Sequence, residues 1–571
     1  MTPLTPDQAA ETVVSTNPDF AVQDVEIRGV TYKAFKNVPR NIRELIQRGV
    51  QAQDTGKADY LVYRDQRWTY EEYCRDIKKL ADSLHRKFGV RKDQPVALAM
   101  RNCPELLLLM MAITSLGGVV VLLNAWWTTE ELDYALKDSK AKLVFADADR
   151  LSRLMPLAGD LGLSLVGAAD GDARTTPGFS DLMAHRSDAD WPDRDIQADD
   201  DFAIVYSSGT TGHPKGVVLT HRGAVNAVYS WLMQGEIAPL VDPPAPDAPA
   251  PPRPSYMIIT PLFHVTATHP LFLLSHVAGA KLTVMDKWDA DEAVRLIDRE
   301  KVTRLVGVPT QTADLRLAAE RAGSTLGSLE FIGSGGAKRP AAQVRELAGT
   351  FPNAQVATGW GMTETNANGI GLAGADYVDR PGAAGRLFPP VQELRFLDDE
   401  GRDVAQGEIG EITVKSPCNM RCYLNKPEAT AQVLRDGWLR TGDLGFIDSD
   451  GFVTIVDRKK NIIIRGGENV ACLDVEGALH RHPSVAEACA FAIPHDRLGE
   501  IVGAGVHLKP GMDATAQDLQ AFLNAHIAKF KIPERIWFWA TPLPRGATDK
   551  LDRRGIRQFC LDQMKERNTT P

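Results

Sequence analysis

The segment from Ser207 to Gly216, SSGTTGHPKG, combines glycines and hydroxyl side chains with one lysine, Lys215. A glycine- and hydroxyl-rich loop that closes on a lysine is typical of phosphate binding, because backbone N–H groups, hydroxyls and an ammonium all favour anions. The common phosphate loop ends in Gly-Lys-Ser/Thr, whereas here Pro214 precedes the lysine and Gly216 follows it. Because proline lacks an N–H and interrupts helices, we predict a strand-to-strand loop around a triphosphate. Taken alone, the same composition also suits a plain loop.

Four further segments hold residues suited to nucleotide chemistry, and they follow the loop in order along the chain. They read GWGMTET at 359–365, GWLRTGDLG at 437–445, DRKKNIIIRGGENV at 457–470 and LPRGATDKLDR at 543–553. Together with the loop, they resemble the signature segments of the acyl-adenylating superfamily, which includes acyl-CoA synthetases, peptide-synthetase adenylation domains and beetle luciferases. The resemblance covers essentially the whole chain, and five ordered matches are far more specific than any one of them.

This resemblance implies an AMP-forming reaction in two steps. A carboxylate attacks the α-phosphorus of ATP, releasing pyrophosphate and leaving an acyl-adenylate, and a thiol then displaces AMP. Because two anions must meet, such an enzyme works by positioning and countercharge. The expected function is that of an acid:CoA ligase that uses ATP, Mg²⁺ and CoA on a fatty or aromatic acid. Two alternatives stay open: an adenylating enzyme that loads a carrier protein or an amine, and a nucleotide-binding scaffold without activity.

The resemblance also assigns a nucleotide site. The loop would hold the β- and γ-phosphates, Trp360 would stack on adenine beside GSGGA at 333–337, and Thr363 would contact the α-phosphate. Asp443, aided by Arg458, would accept hydrogen bonds from the ribose hydroxyls. The expected nucleotide-binding residues are Ser207, Ser208, Gly209, Thr210, Thr211, Gly212, Lys215, Gly335, Gly336, Ala337, Trp360, Gly361, Thr363, Asp443 and Arg458.

Four residues carry the catalytic roles that the resemblance implies. Lys550 would bridge the carboxylate of the acid and the α-phosphate, a task that suits a compact ammonium on a long stem. Glu364 would bind Mg²⁺ through a hard carboxylate oxygen, and Thr210 would contact the phosphates. His264 lies where CoA ligases carry an aromatic–histidine pair beside the acyl pocket, and the small or apolar residues after it suit a fatty or aromatic chain. Taken singly, each of these residues also suits a structural or surface role.

A hinge is expected after the ribose-binding segment. One lysine must reach the adenylate while CoA later needs the same carbonyl, so we expect the C-terminal domain to rotate between the two steps. By resemblance the pivot is Lys460, and Gly466 and Gly467 would line the path of the CoA thiol. Three residues depart from the pattern of the family: Trp360 in place of tyrosine or phenylalanine, Asn461 in place of an acidic residue, and Asp549 in place of the glycine before the catalytic lysine.

Hydrophobic patterning predicts the elements that position these residues. From about 95 to 360, short apolar runs such as PVALAM, FAIVY and RLVGV alternate with helical segments, which indicates βαβ units on parallel sheets. Between 391 and 456, short strands separated by turns predict a small β-barrel-like subdomain. We expect an α/β fold with a large N-terminal domain (1–459, its β-rich part at 385–456) and a smaller, mobile α+β C-terminal domain (460–571).

Composition and apolar runs exclude several classes of protein. The chain has 571 residues and a net charge of −9, which argues against nucleic-acid or anionic-membrane partners. Seven scattered cysteines suit a reducing compartment and no signal-peptide pattern begins the chain, so we expect a cytoplasmic monomer or homodimer. The apolar stretch 106–124 is divided by Gly117-Gly118 and indicates a buried helix and strand rather than a membrane span. The proline- and alanine-rich stretch 236–254 predicts an exposed loop without regular helix.

Overall fold

The strands and helices of this chain are given by a computed structural model. It describes residues 3–51, 56–185, 190–207, 214–245, 247, 250–465, 468–495, 497–546 and 550–569. The expected loop residues Ser208 to Gly212, the two glycines Gly466 and Gly467, and Asp549 lie outside these ranges.

A seven-stranded sheet carries both strands that flank the predicted phosphate loop. Its strands, in spatial order, are Cys422–Tyr423, Lys215–Thr220, Asp201–Ser207, Val119–Leu122, Pro95–Ala99, Leu143–Ala146 and Ser164–Gly167. The last five strands run parallel, and the first two are antiparallel additions at one edge. The apolar runs of the sequence thus form the parallel centre of the sheet, as predicted.

A nine-stranded sheet forms the other half of the N-terminal region. Its strands, in spatial order, are Arg386–Leu387, Gly369–Ala373, Gln355–Gly361, Phe331–Ser334, Arg304–Gly307, Ser255–Ile258, Lys281–Val284, Asp59–Tyr63 and Gln66–Thr69. Its centre is parallel, and both edges end in antiparallel strands. The sequence predicted the parallel part of both sheets; the antiparallel edges make them mixed.

Two smaller sheets and a hairpin complete the strands. The subdomain sheet is antiparallel and contains Glu393–Leu397, Gly410–Lys415, Trp438–Ile447, Leu434–Arg435 and Val453–Arg458. The C-terminal sheet contains Glu468–Ala471, Ile462–Arg465, Gly499–Leu508, Val485–His495 and Arg535–Trp539. The N-terminal hairpin pairs Val22–Ile27 with Val30–Phe35. A short helical turn, Lys459–Asn461, joins the subdomain sheet to the C-terminal sheet.

Helices cover both faces of the two large sheets and both faces of the C-terminal sheet. The α-helices are Pro6–Thr16, Ile42–Gln51, Tyr70–Phe88, Pro104–Ser115, Thr129–Ser139, Ala148–Leu154, Ala158–Leu161, Phe179–Met183, His221–Val241, Val265–Ala267, Leu274–Val277, Ala290–Glu300, Pro309–Ala322, Ala341–Thr350, Gly374–Asp379, Pro427–Val433, Cys472–Leu479, Ala516–Asn524 and Arg553–Thr569. Short 3₁₀ or π segments are Pro18–Phe20, Met155–Leu157, Ala169–Arg174, Thr268–Leu273, Thr363–Thr365, Lys459–Asn461 and Lys529–Lys531.

Two apolar or proline-rich stretches can be compared with their predictions. The stretch at 106–124 is the buried helix Pro104–Ser115 followed by the central strand Val119–Leu122, as predicted. Among the described residues no helix has the length and apolar character to cross a bilayer. The prediction for 236–254 was wrong at its start, because helix His221–Val241 continues through Pro239. That proline lies in the last turn, where its missing N–H costs the helix one hydrogen bond near its end.

Candidate active site

One side of the site lies at the carboxyl ends of two parallel strands of the nine-stranded sheet. Phe331–Ser334 leads into the glycine segment 335–337, and its neighbour Gln355–Gly361 leads into the next turn of the site. Ligands of open α/β sheets bind outside this edge. Gly336 has a φ of +78°, and a Cβ there would lie 2.8 Å from Cε of Lys550. The glycine therefore provides both a left-handed backbone and room for the lysine stem.

Glu364 lies in the turn Thr363–Thr365 and is 6% exposed. The hydroxyl of Tyr423 donates a hydrogen bond of 2.8 Å to its Oε1. Burial raises the pKa of Glu364, and the Tyr423 hydroxyl and the cations Arg458 and Lys215 oppose that rise. Magnesium is usually held by one or two carboxylates together with substrate phosphates. A buried carboxylate near the lysine predicted to bind phosphate fits such an ion.

Lys215 marks the described end of the predicted phosphate loop. It pairs with Ser207 across two antiparallel strands, so the loop between them begins and ends at one point of the sheet. Its Nζ lies 4.5 Å from the ring centre of Tyr423. Burial, followed by repulsion from Lys460, lowers the pKa of Lys215. The loop residues Ser208, Gly209, Thr210, Thr211 and Gly212 lie outside the described residues.

Tyr423 was not predicted from the sequence, yet it contacts both of these groups. It belongs to the two-residue strand Cys422–Tyr423, which pairs with the strand that follows the loop. None of the five signature segments includes it. The signal in the sequence was a tyrosine in CYLNKPEAT, and only strand pairing brings it to residues that lie far away in the chain.

Asp443, the residue expected to hold the ribose, links the subdomain sheet to the nine-stranded sheet through a hydrogen bond with Trp360. It lies in Trp438–Ile447 opposite Arg458 and is 5% exposed. Trp360 Nε1 donates a hydrogen bond of 2.8 Å to Asp443 Oδ2, and Arg458 Nε lies 3.1 Å from Oδ1. The structure thus brings together three residues that the sequence predicted for adenine and ribose. The indole N–H of Trp360 has a partner that its predicted stacking role did not include.

The ammonium of Lys550 reaches the same place from the C-terminal domain. A Cβ on Gly336 would lie 3.3 Å from Lys550 Nζ. The residue as a whole is exposed, but the protein around its ammonium removes part of the solvent. This burial, followed by repulsion from Arg458, lowers the pKa of Lys550 to about 8, and Asp443 opposes the shift. The lysine is therefore close to the groups expected to hold the nucleotide.

The loop that carries Lys550 is fixed inside its own domain. Arg545 and Leu551 form a β-bridge, and Gly546 N donates to Lys550 O at 2.8 Å. Just beyond the lysine, the Arg553 guanidinium forms an ion pair with Glu476, a residue of which 6% is exposed. Arg545 forms a second ion pair with Glu487. These contacts tie the base of the loop to the C-terminal domain.

His264 forms a ring pair with Phe263, as the resemblance implied. The ring centres lie 4.5 Å apart, and Phe263 packs edge-on against Trp126 at 5.3 Å. His264 Nε2 is buried and has no hydrogen-bond partner among the described residues. Burial lowers the pKa of His264 to about 3, and the Lys550 ammonium acts in the same direction. The imidazole is therefore uncharged at neutral pH.

The expected hinge lies in the turn between the subdomain sheet and the C-terminal sheet. Lys460 is the middle residue of Lys459–Asn461. Asp457, just before it, accepts a hydrogen bond of 2.9 Å at Oδ2 from Leu473 N, in the first turn of helix Cys472–Leu479. This bond crosses the turn, so a rotation about Lys460 would have to break it. Gly466 and Gly467 lie outside the described residues.

Comparisons with known proteins agree with this geometry. The AMP-binding enzyme family matches residues 50–424, and the AMP-binding enzyme C-terminal domain matches residues 474–550. The 4-coumarate–CoA ligase 1 of Arabidopsis thaliana is 30% identical over 501 residues, which cover 86% of this chain and 87% of that protein. The long-chain-fatty-acid–CoA ligase of Bacillus subtilis (strain 168) is 30% identical over 523 residues, covering 86% and 89%.

A solved structure extends the agreement to three dimensions. The o-succinylbenzoate coenzyme A synthetase of Bacillus subtilis, in complex with ATP and a magnesium ion, has a TM-score of 0.76 at 27% identity. The match covers 90% of this chain and 99% of that chain. These findings confirm the predicted superfamily, the α/β fold with a large and a small domain, and the expected class of enzyme. The chain belongs to the AMP-binding enzyme family, among the AMP-forming ligases that join acyl or aryl acids to CoA.

Proposed function

We propose that this protein joins a fatty or aromatic carboxylic acid to CoA through an acyl-adenylate, using ATP and Mg²⁺. The observation that carries the proposal is the position of Lys550. Its ammonium lies against Gly336 and within the field of Asp443 and Arg458, although it comes from a different domain. A mobile cation at this place is what a reaction between two anions needs.

In the first half-reaction an oxygen of the carboxylate bonds to the α-phosphorus while the bond to pyrophosphate breaks. With a pKa of about 8, Lys550 is mostly protonated at neutral pH and attracts both the carboxylate and the α-phosphate. Lys215 and the loop before it hold the departing pyrophosphate. Asp443 fixes the ribose through its hydroxyls. A magnesium ion held by Glu364 would neutralise phosphate charge.

In the second half-reaction the CoA sulfur bonds to the acyl carbon, the acyl–oxygen bond to AMP breaks, and the thiol proton passes to water. Lys550 has no further role at that stage, and its departure with the C-terminal domain would open the path for the thiol. We propose the domain boundary at Lys460 for this reason. Because the pKa of His264 is about 3, this residue suits a wall of the acid pocket rather than a general base.

The acid class follows from the surroundings of His264. Phe263 and Trp126 form an aromatic wall beside it, and Val265 and Ala267 are buried and apolar. Such walls favour an apolar chain or ring over a charged one. Relatives that act on 4-coumarate and on long-chain fatty acids share the same identity with this chain, which supports an acid of one of these two kinds. We place the enzyme in the cytoplasm, since all seven cysteines are free thiols. A monomer or homodimer remains our proposal for its oligomeric state.

A panel of acids tests the proposal. The protein is incubated with ATP, Mg²⁺ and fatty, phenylpropenoic or benzoic acids, and each mixture receives CoA, hydroxylamine or neither. We expect one or more acids to give a thioester, AMP and pyrophosphate in equal amounts with CoA. Hydroxamate formation with hydroxylamine, but no thioester with CoA, would instead favour transfer to a carrier protein or an amine. Failure of every acid to exchange labelled pyrophosphate into ATP would contradict the proposed function.

A further inference from the structure

Residues 420–424 connect the phosphate-binding strand with the turn that carries Glu364. Leu424 N donates a hydrogen bond of 2.7 Å to Gly216 O, directly after Lys215. At the other end of the segment, Met420 N donates a hydrogen bond of 2.7 Å to Glu364 O. The backbone of this short segment therefore sets the spacing between the two parts of the site.

The side chain of Tyr423 repeats this connection. Its ring lies under the ammonium of Lys215, with 4.5 Å between Nζ and the ring centre. Its hydroxyl donates to Glu364 Oε1 at 2.8 Å. The tyrosine is itself held by Thr430, whose Oγ1 accepts a hydrogen bond of 2.9 Å from Tyr423 N. One side chain thus contacts a cation at its face and an anion at its tip.

The contacts with Tyr423 affect how the opposite charges of Lys215 and Glu364 interact. A lysine and a glutamate in a half-buried site attract each other, and a direct ion pair would compete with the phosphates and the metal for both groups. Here Lys215 and Glu364 each contact Tyr423 instead. A cation–π contact and a single hydrogen bond leave the other ammonium donors and carboxylate lone pairs free for a ligand.

We infer that Tyr423 is a positioning residue that holds Lys215 and Glu364 apart and aims them at the phosphates and the magnesium ion of the nucleotide. The inference rests on the proposed function, because it assigns the ligand of both groups. The face of the ring acts on phosphate binding, and the hydroxyl acts on metal binding. The two effects are separable because phenylalanine keeps the face and loses the hydroxyl.

Two substitutions at this position test the inference. Binding of ATP is measured by calorimetry in EDTA, and binding of Mn²⁺ to the enzyme–ATP complex is measured by electron paramagnetic resonance. We expect Tyr423→Phe to weaken Mn²⁺ binding about tenfold, as for a hydrogen bond to a charged group, and to change metal-free ATP binding by less than about twofold. Tyr423→Leu should weaken both, with ATP binding reduced about fivefold by the loss of the cation–π contact.

A matched control is Tyr60→Phe. The Tyr60 hydroxyl also contacts two side chains, Ser275 and His276, each at 3.0 Å, but it lies five strands away from Gln355–Gly361 in the nine-stranded sheet. This variant should leave both binding constants unchanged. If Tyr423→Phe unfolds at a lower temperature, all binding is measured well below its transition, and the pair Glu364→Gln and Glu364→Gln/Tyr423→Phe provides a second test there. If the hydroxyl acts through Glu364, adding Tyr423→Phe to Glu364→Gln should weaken Mn²⁺ binding by less than about a further twofold. Independent effects of the two substitutions would multiply instead.

Each result points one way. Weaker Mn²⁺ binding with unchanged metal-free ATP binding in Tyr423→Phe supports the inference. Unchanged Mn²⁺ binding in Tyr423→Phe would overturn it, as would equal losses of Mn²⁺ and ATP affinity in Tyr423→Phe and Tyr423→Leu. In either case, pyrophosphate exchange by the unaltered protein would still uphold the proposed function. Absence of that exchange with every acid would overturn the proposed function instead.

Discussion

The site has two ends that are built in different ways. At the phosphate end, Lys215 belongs to the seven-stranded sheet and Glu364 lies in the turn after a strand of the nine-stranded sheet. The backbone of residues 420–424 and the side chain of Tyr423 link them. At the lysine end, Lys550 is anchored within the C-terminal domain, through the hydrogen bond from Gly546 N and through Arg553 and its ion pair with Glu476. The first end is preformed by strand pairing, and the second is brought to it by a separate domain.

This difference matches the two half-reactions. Phosphates must be held in the first step, so their ligands gain from a rigid frame. In the proposed mechanism, the lysine is needed only while the carboxylate attacks, so its place on a separate domain is an advantage. The link across Lys460 is small in comparison: Asp457 accepts a hydrogen bond from Leu473 N at Oδ2 and a longer one, of 3.3 Å, from Asn461 Nδ2 at Oδ1. Substitutions at the two ends should therefore affect the half-reactions differently.

The largest effect is expected at the lysine end. Lys550→Ala should slow adenylation about 10³-fold, because the cation between two anions is lost, yet leave CoA capture of supplied acyl-adenylate nearly unchanged. Pyrophosphate exchange and thioester formation from synthetic acyl-AMP measure the two steps. Lys509→Ala, an exposed lysine of the same domain, is the control. Adenylation at the normal rate in Lys550→Ala would remove this residue from the site.

At the phosphate end, Glu364→Gln should slow adenylation about 10²-fold and raise the Mg²⁺ concentration for half-maximal rate, because an amide is a weaker metal ligand. Magnesium titrations of pyrophosphate exchange measure both effects. Glu330→Gln is the control. Glu330 precedes strand Phe331–Ser334 of the nine-stranded sheet and so lies at the end of the strand away from the site. This substitution should change neither the rate nor the magnesium requirement. An unaltered magnesium requirement in Glu364→Gln would show that the ion binds elsewhere.

Between the two ends, Lys460→Pro should slow the thioester step roughly 10- to 100-fold and adenylation much less. Proline fixes φ and removes an N–H, so it hinders rotation away from the state in which Lys550 is in place. Lys460→Ala removes the side chain but leaves the backbone free, and it should affect both steps little. Equal losses in the two half-reactions would mean that Lys460 is not the pivot.

A smaller effect is expected from pH. The pKa of Lys550 is lowered to about 8, and the proposed mechanism uses its protonated form. The kcat/KM for the acid in pyrophosphate exchange should therefore fall as pH rises through about 8, reaching roughly one tenth of its plateau near pH 9. Lys550→Arg should lose this decline, since a guanidinium stays protonated. A decline that persists in Lys550→Arg would assign it to another group.

The comparison of the two ends also explains what the sequence could predict. Lys550, Asp443 and Glu364 lie in contiguous segments whose residue types follow from the chemistry, and the parallel strands follow from apolar runs. Tyr423 contacts residues 59 and 208 positions away, and only the pairing of Cys422–Tyr423 brings them together. The bond from Trp360 to Asp443 likewise joins two sheets. Tertiary contacts of this kind leave no local pattern in the chain.

Oxygen transfer tests the central claim most directly. The protein is supplied with an accepted acid labelled with ¹⁸O in both carboxylate oxygens, together with ATP, Mg²⁺ and CoA, and the products are analysed by mass spectrometry. If the carboxylate attacks the α-phosphorus, each AMP carries one ¹⁸O and the thioester retains the other. ADP as the nucleotide product, or AMP without label while the thioester forms, would contradict the acyl-adenylate route.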